Sequence, residues 1–393
     1  MAGDRTYDFV LFGATGFTGG LTAEYLAEHA PPGARWALAG RNRAKLEAVR
    51  ERLAAVNEAC ADLPLLHADA ADAGALREIA ESAKVVVTTV GPYLKHGEPL
   101  VAACARAGTD YADLTGEPSF VDLMYLRYHE EAVRTGARLV HACGFDSIPH
   151  DLGAYFTVKQ LPEGSPLRVE GFLRLRGDLS GGTLHSAVGM MEDMRAMQRL
   201  AAERDRVERR PAGRRIRVSR RPVPHTRIGG YALPLPTIDP LIVTRSAAAL
   251  DRYGPDFSYG HYLAVRRPTT AAAVIAGSAA MMALAKLPQT RSLLLKYRSP
   301  GEGPGPEQRA RHWFKVTFVG EVTEGVNAGR RVVTEVSGGD PGYGETAKML
   351  AESALCLAYD DLPQTAGQVT TAVAMGDALI DRLVKAGISF RVL

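Results

Sequence analysis

Tyr7-Asp8-Phe9-Val10-Leu11-Phe12-Gly13-Ala14-Thr15-Gly16-Phe17-Thr18-Gly19-Gly20 is the stretch that decides the fold. The apolar run to Phe12 reads as a buried strand, and it breaks into a turn carrying Gly13, Gly16 and Gly19. A helical pattern follows, with Leu21, Tyr25 and Leu26 on one face. Strand, glycine turn and helix make up the dinucleotide fingerprint. One glycine allows the sharp turn, one lets backbone approach a pyrophosphate, and one lets helix pack on strand. The helix N-terminus offers free N–H groups and a partial positive charge to the phosphates. Ala14, Thr15, Phe17 and Thr18 complete this segment, whose Gly-x-x-Gly-x-x-Gly spacing is a looser variant of Gly-x-Gly-x-x-Gly.

At 393 residues the chain is too long for one ordinary core, so two domains are expected. Apolar residues at 46% and charged ones at 23% give an ordinary soluble globular balance. A net charge of +3 is too small to demand a polyanionic partner. Cys60, Cys104, Cys143 and Cys356 lie far apart without metal-ligand spacing. They read as reduced thiols of a cytoplasmic protein, and no metal is expected. Nothing before Tyr7 resembles the apolar core of a secretion signal.

Outward from the glycine turn, short apolar runs at 35–39, 65–68, 85–90 and 138–142 alternate with amphipathic stretches at 43–59, 73–82, 99–107 and 120–135. This alternation predicts an α/β fold, a doubly wound parallel sheet with helices on both faces. Asp72 is the expected N-cap of one helix, and Gly108 and Gly136 are expected helix stops. The expected division is a dinucleotide-binding domain over 1–150 and a substrate or dimerisation domain over 151–337. Helices over 338–393 are expected to pack back near the first domain.

The end of the second strand selects the cofactor. An NAD site places an acidic residue there, whereas this chain reads Ala39-Gly40-Arg41-Asn42-Arg43. Arg41 and Arg43 offer charge-assisted hydrogen bonds to a 2′-phosphate, so NADP(H) is expected. Asp69 is either a neighbour of the adenine or a local cap. The fourth strand ends in Val90-Gly91-Pro92-Tyr93, at the carboxyl edge where ligands of such sheets bind. Polar clusters at 111–117 and 141–151 share that rim.

Gly-Ala-Thr-Gly-Phe-Thr-Gly (13–19), Ala-Gly-Arg-Asn (39–42), Val-Gly-Pro-Tyr (90–93) and Tyr-Ala-Asp-Leu-Thr-Gly-Glu (111–117) together resemble the saccharopine dehydrogenase-like superfamily. Cys-Gly-Phe-Asp-Ser-Ile-Pro-His-Asp-Leu-Gly (143–153) and the Gly338–Leu350 run resemble one branch of it, the trans-acting enoyl reductases of actinobacterial lipid synthesis. The resemblance implies a Rossmann-like NADP domain and a second, mixed α/β domain with an antiparallel sheet. It also implies reduction of a lipid-like or polyketide acyl substrate, free or carrier-bound. Gln368-Val369-Thr370-Thr371 departs from the Thr-Pro pair expected at that point.

In the second half, 167–176 reads as a strand, and 313–319 with 331–337 as a hairpin-like pair. Met190, Met191, Met194 and Met197 read as helix core or an adaptable lipid pocket. Eleven arginines between Arg195 and Arg221 lack a stacking platform, so a solvated helix and loop is expected rather than a nucleic-acid surface. Arg174, Arg176 and Arg245 are candidates for contact with an acidic substrate group. The alanine-rich stretch 269–287 is expected to be buried or interfacial, with peripheral membrane contact one reading. Linker composition marks 299–306.

For the chemistry, hydride delivery to the β-carbon of an activated double bond requires donors aimed at the developing enolate oxygen and a proton for the α-carbon. Tyr93, Ser147 and His150 are the candidates, with Asp146 and Glu117 as orienting carboxylates. The alternatives are a saccharopine-type amino-acid or imine dehydrogenase and a non-catalytic NADP(H)-binding protein. A homodimer is compatible with the sequence.

Overall fold

A computed structural model describes residues 5–177, 194–209, 211–220, 229–285 and 303–393. The expectations for Met190, Met191 and the first half of the 299–306 linker lie outside these residues. The strands are β1 (Tyr7–Phe12), β2 (Trp36–Gly40), β3 (Leu65–His67), β4 (Ala83–Thr88), β5 (Asp110–Asp113), β6 (Arg138–Val140), β7 (Leu167–Arg176), β8 (Arg215–Ser219), β9 (Tyr231–Pro234), β10 (Asp256–Val265), β11 (Trp313–Val322), β12 (Arg331–Gly338), β13 (Gly367–Val369) and β14 (Ser389–Val392).

The first sheet is parallel throughout, in the order β13-β6-β5-β4-β1-β2-β3. Alternation along its central strands creates two apolar faces. Phe9, Leu11, Val85 and Val87 join one core, and Val10, Phe12 and Val86 join the other. Each such buried side chain contributes roughly 1.5–3 kcal/mol, which explains why β1 and β4 read as unbroken apolar runs. Asp72 caps its helix by accepting from the Gly74 and Ala75 N–H groups at 3.0 and 3.1 Å. Gly108 and Gly136 close theirs in the left-handed conformation, with φ of 69° and 85°.

The second sheet runs β14-β12-β11-β7-β10-β8, with β9 beside β10. It is mixed rather than wholly antiparallel, because β7–β10 and β10–β8 pair in parallel. The helix Ile148–Val158 carries the chain from the first sheet onto this one. A Cβ at Gly153 would lie 2.3 Å from the Phe318 ring, so only glycine allows the helix this close. Leu11, Leu152, Phe318 and Met349 share one continuous core across both halves.

The tail does more than the helical pattern predicts, because β13 extends the first sheet and β14 the second. Its long helix, Gly344–Tyr359, packs on the Phe17–His29 helix behind the glycine turn, where the Tyr25 hydroxyl donates to Glu352 Oε1 at 2.7 Å. The expected second tail helix is broken into Thr371–Ala374 and Gly376–Lys385.

Of the two readings of the helix Pro268–Ala285, buried or interfacial, its exposure removes the buried one. Ala272, Ala273 and Ala276 are exposed, and Ile275 is 58% exposed. Among the described residues no helix is long and apolar enough to cross a membrane.

Candidate active site

The glycine turn divides its labour as the physics requires. Gly13 sits at φ +97°, and a Cβ there would lie 2.7 Å from Val90 Cγ2. A Cβ on Gly19 would lie 2.1 Å from the Gly13 carbonyl oxygen, so helix and strand end are in direct contact. Gly16 is exposed, and its nearest neighbour to a Cβ stands at 3.5 Å, which leaves its backbone approachable. It caps the Phe17–His29 helix without a side-chain hydrogen bond and with no acid in the first turn. These free N–H groups fit a pyrophosphate. Ala14 is buried, Thr15 and Thr18 are half-buried, and the Thr18 carbonyl accepts from Thr22 Oγ1 at 2.9 Å. Phe17 turns away to meet the Tyr343 ring edge-on at 4.9 Å.

At the end of β2 the roles separate. Arg41 is exposed and makes no ion pair among the described residues. Arg43 pairs with Glu47 at 3.2 Å, one helical turn on. Asn42 is the cap of that helix, its Oδ1 accepting from Lys45 N–H at 2.9 Å. Asp69 accepts from Ala71 N–H at 2.9 Å, which is the local-cap reading. Arg41, exposed at the end of β2, could hold a 2′-phosphate.

Val90, Gly91 and Pro92 form the rim after β4, with Gly91 exposed. Tyr93 is buried behind them. Its hydroxyl donates to the Thr88 carbonyl and accepts from Leu114 N–H, both at 3.1 Å. Glu117 accepts from Tyr93 and Leu94 N–H at 3.1 and 2.9 Å, capping the short turn Tyr93–His96. Both residues hold strand ends together. Burial and the nearby Asp113 charge push the Tyr93 phenol well above its usual range.

Asp113 performs the same service for the next rim segment. It accepts from Thr115 and Ala142 N–H at 3.0 Å, from the Tyr111 hydroxyl at 3.0 Å, and lies 2.7 Å from His141 Nδ1.

The segment after β6 brings Asp146, Ser147 and His150 together at the junction of the two sheets. Phe145 packs against Phe314 of β11 at 5.0 Å, and its N–H donates to Thr346 Oγ1 at 3.1 Å. Ser147 Oγ and both ring nitrogens of His150 are buried without a hydrogen-bond partner among the described residues. Burial, and then the Asp239 charge, raise the Asp146 carboxyl to about 7, while burial lowers His150 to about 3. At neutral pH the imidazole is uncharged and the carboxyl holds its proton part of the time.

Two residues of the second half complete this group. Asp239, which opens the helix Asp239–Ala249, lies 3.9 Å from His150 Nε2. His261 of β10 lies 3.4 Å from the other Asp239 oxygen. The sequence reading missed both. His261 sits in an alternating strand and Asp239 at a Pro-containing helix start, so each carried only the ordinary signal of its element. Next to them Asp151 is fully buried and tied to Ser246, Thr371 and Ala372 N–H at 2.5, 2.7 and 2.9 Å, which locks the tail to the second half.

The arginine run is not wholly solvated. Arg204 is 2% exposed, stacks 3.9 Å over Tyr125 and pairs with Glu208 at 2.6 Å. Arg245 is held by Asp122 beside it rather than standing free. Both line a cavity of about 720 Å³ that includes His141 and Ile242 but not the glycine turn or Asp146. Arg174 donates to the Gly229 carbonyl at 3.4 Å.

The fold and the rim define an NADP-dependent oxidoreductase. The saccharopine dehydrogenase NADP binding domain family matches residues 9–140. Over the whole chain, a Mycobacterium ulcerans protein named trans-acting enoyl reductase is 37% identical, covering 98% of this chain and 97% of its own length. A Mycobacterium tuberculosis protein of the same name is 38% identical with the same coverage. The chain belongs to this family. A saccharopine dehydrogenase of Saccharomyces cerevisiae shares the fold at 13% identity, with a TM-score of 0.54 over 98% of this chain and 99% of its own.

Proposed function

We propose that this enzyme reduces an activated carbon–carbon double bond of a lipid-like or polyketide acyl substrate, presented as a small-molecule or carrier-bound thioester. The observation that supports it is the composite group at the carboxyl edge, where Ser147 Oγ and the His150 ring keep uncommitted hydrogen-bonding atoms in a buried setting. The backbone of Gly13–Gly19 holds the pyrophosphate and Arg41 the 2′-phosphate. Bound NADPH supplies the hydride. Ser147 donates a hydrogen bond to the acyl oxygen as charge develops there, which is worth most in a buried site. Asp146 holds a proton near neutral pH and delivers it to the α-carbon. His150, Asp239 and His261 form the floor behind them. Tyr93 and Glu117 position the rim and leave the chemistry to Asp146 and Ser147. The exposed helix Pro268–Ala285 rests against a membrane surface from which a lipid-like substrate arrives; flotation with liposomes tests this, and failure to co-migrate removes it.

The experiment is NADPH oxidation on adding α,β-unsaturated acyl thioesters. Oxidation dependent on the thioester supports the reading. Tight NADPH binding without oxidation across a range of such acceptors points to a binding protein instead.

A further inference from the structure

Buried polar atoms without hydrogen-bond partners among the described residues converge where the helix Ile148–Val158 meets the second sheet. They are Nδ1 and Nε2 of His150, Oδ1 of Asp239 and Nε2 of His261. Asp239 and His150 are each 1% exposed and His261 is 2% exposed, so water does not satisfy them from the surface. Ligand atoms of all three residues lie within 4.8 Å of one another. His150 Nε2 lies 3.9 Å from Asp239 Oδ1 and His261 Nε2 3.4 Å from Oδ2 of the same carboxyl, separations near those of donors around one ion about 2.0–2.2 Å from each.

Charge makes the same case. Among the described residues, the His150 and His261 imidazoles are the basic groups within ion-pair distance of the Asp239 carboxylate. A metal ion among them would give these buried polar atoms the partners they lack. The surroundings already orient the donors. Thr237 Oγ1 donates to Asp239 Oδ2 at 2.5 Å, which leaves Oδ1 free. Tyr259 Oη stands 3.4 Å from His261 Nδ1, and a proton on Nδ1 donated to that oxygen leaves the Nε2 lone pair for the cluster.

We propose that His150, Asp239 and His261 form a buried divalent transition-metal site, taken by Zn²⁺, that links the two halves of the molecule. Two imidazoles and one carboxylate suit zinc, and three protein ligands leave one position open. The site stands on this geometry alone and does not depend on the acyl substrate.

The test uses the full chain without substrate. Protein incubated with Zn²⁺ and freed of excess by gel filtration should retain about one equivalent by elemental analysis. His261→Gln should lose it, while His96→Gln, at an exposed position, keeps it. Cobalt titration of the wild-type chain decides the matter even if His261→Gln fails to fold: visible ligand-field absorption saturating near one equivalent is expected. Wild-type protein that retains no zinc and shows no cobalt absorption overturns the proposal, as does a folded His261→Gln chain that keeps its metal.

Discussion

The Tyr93 hydroxyl donates to the carbonyl of Thr88, the last residue of β4, at 3.1 Å. Because it also accepts from Leu114 N–H, both its hydrogen-bonding roles are taken by backbone. Tyr93→Phe therefore leaves a buried N–H without an acceptor, a loss of roughly 1–3 kcal/mol. The expected result is a lower thermal midpoint with kcat close to wild type. A large fall in kcat without loss of stability would return Tyr93 to the chemistry.

Gly19→Ala forces a methyl group to within 2.1 Å of the Gly13 carbonyl oxygen. Relief requires moving the helix from the strand end, an overpacking cost of about 1–3 kcal/mol. NADPH affinity should fall accordingly, by about five- to a hundredfold, as read by fluorescence titration. Gly33→Ala, where nothing stands within 4 Å but φ is +81°, should cost stability and leave affinity alone.

Arg41 and Arg43 separate by partner. Arg41→Ala should weaken NADPH by about tenfold or more, the worth of a charge-assisted bond to phosphate, and leave NADH binding unchanged. Arg43→Ala should do much less, because Arg43 is engaged with Glu47. Asn42→Ala should cost about 1 kcal/mol of stability through the lost helix cap. Isothermal titration with both cofactors, beside thermal melts, checks all three.

Asp146 carries a pH signature. Its carboxyl rises from 3.8 to about 7 through burial and the Asp239 charge. Between those values the folded chain binds a proton that the unfolded chain has released, so this group stabilises the protein at low pH and the benefit is lost as pH climbs to about 7. Asp146→Asn should gain stability relative to wild type over that interval. Turnover of the wild type should decline above about 7 as the proton is lost. The variant should lack that limb and fall by about a hundredfold or more, the usual contribution of a positioned acid.

The first sheet was legible because β1 and β4 are buried on both faces and so read as continuous apolar runs, bounded by residues with defined backbone roles such as Gly13, Asp72 and Gly108. NADP(H) was legible from Arg41, Arg43 and the missing acid at the end of β2, and the NADP-binding family match bears out the cofactor. The tail strand β13 was not legible, since three residues, Gly367–Val369, give no periodicity and pair only because β6 is already there. Asp239 and His261 were invisible as site residues because their meeting with His150 is created by the packing of β10 and the helix Asp239–Ala249 against Ile148–Val158. The backbone partners of Tyr93 were equally hidden, because the Thr88 carbonyl and Leu114 N–H meet its hydroxyl only once β4 and β5 lie side by side.

The proposed chemistry is reduction of an acyl double bond at the rim formed by Asp146 and Ser147. The most direct measurement is mass and NMR analysis of the product from an α,β-unsaturated acyl thioester incubated with NADPH deuterated at the transferred position. The account predicts a saturated product with one deuterium at the β-carbon, formed by the wild type and nearly abolished in Asp146→Asn. Bound NADPH with no saturated product, or a product unaffected by Asp146→Asn, would contradict it.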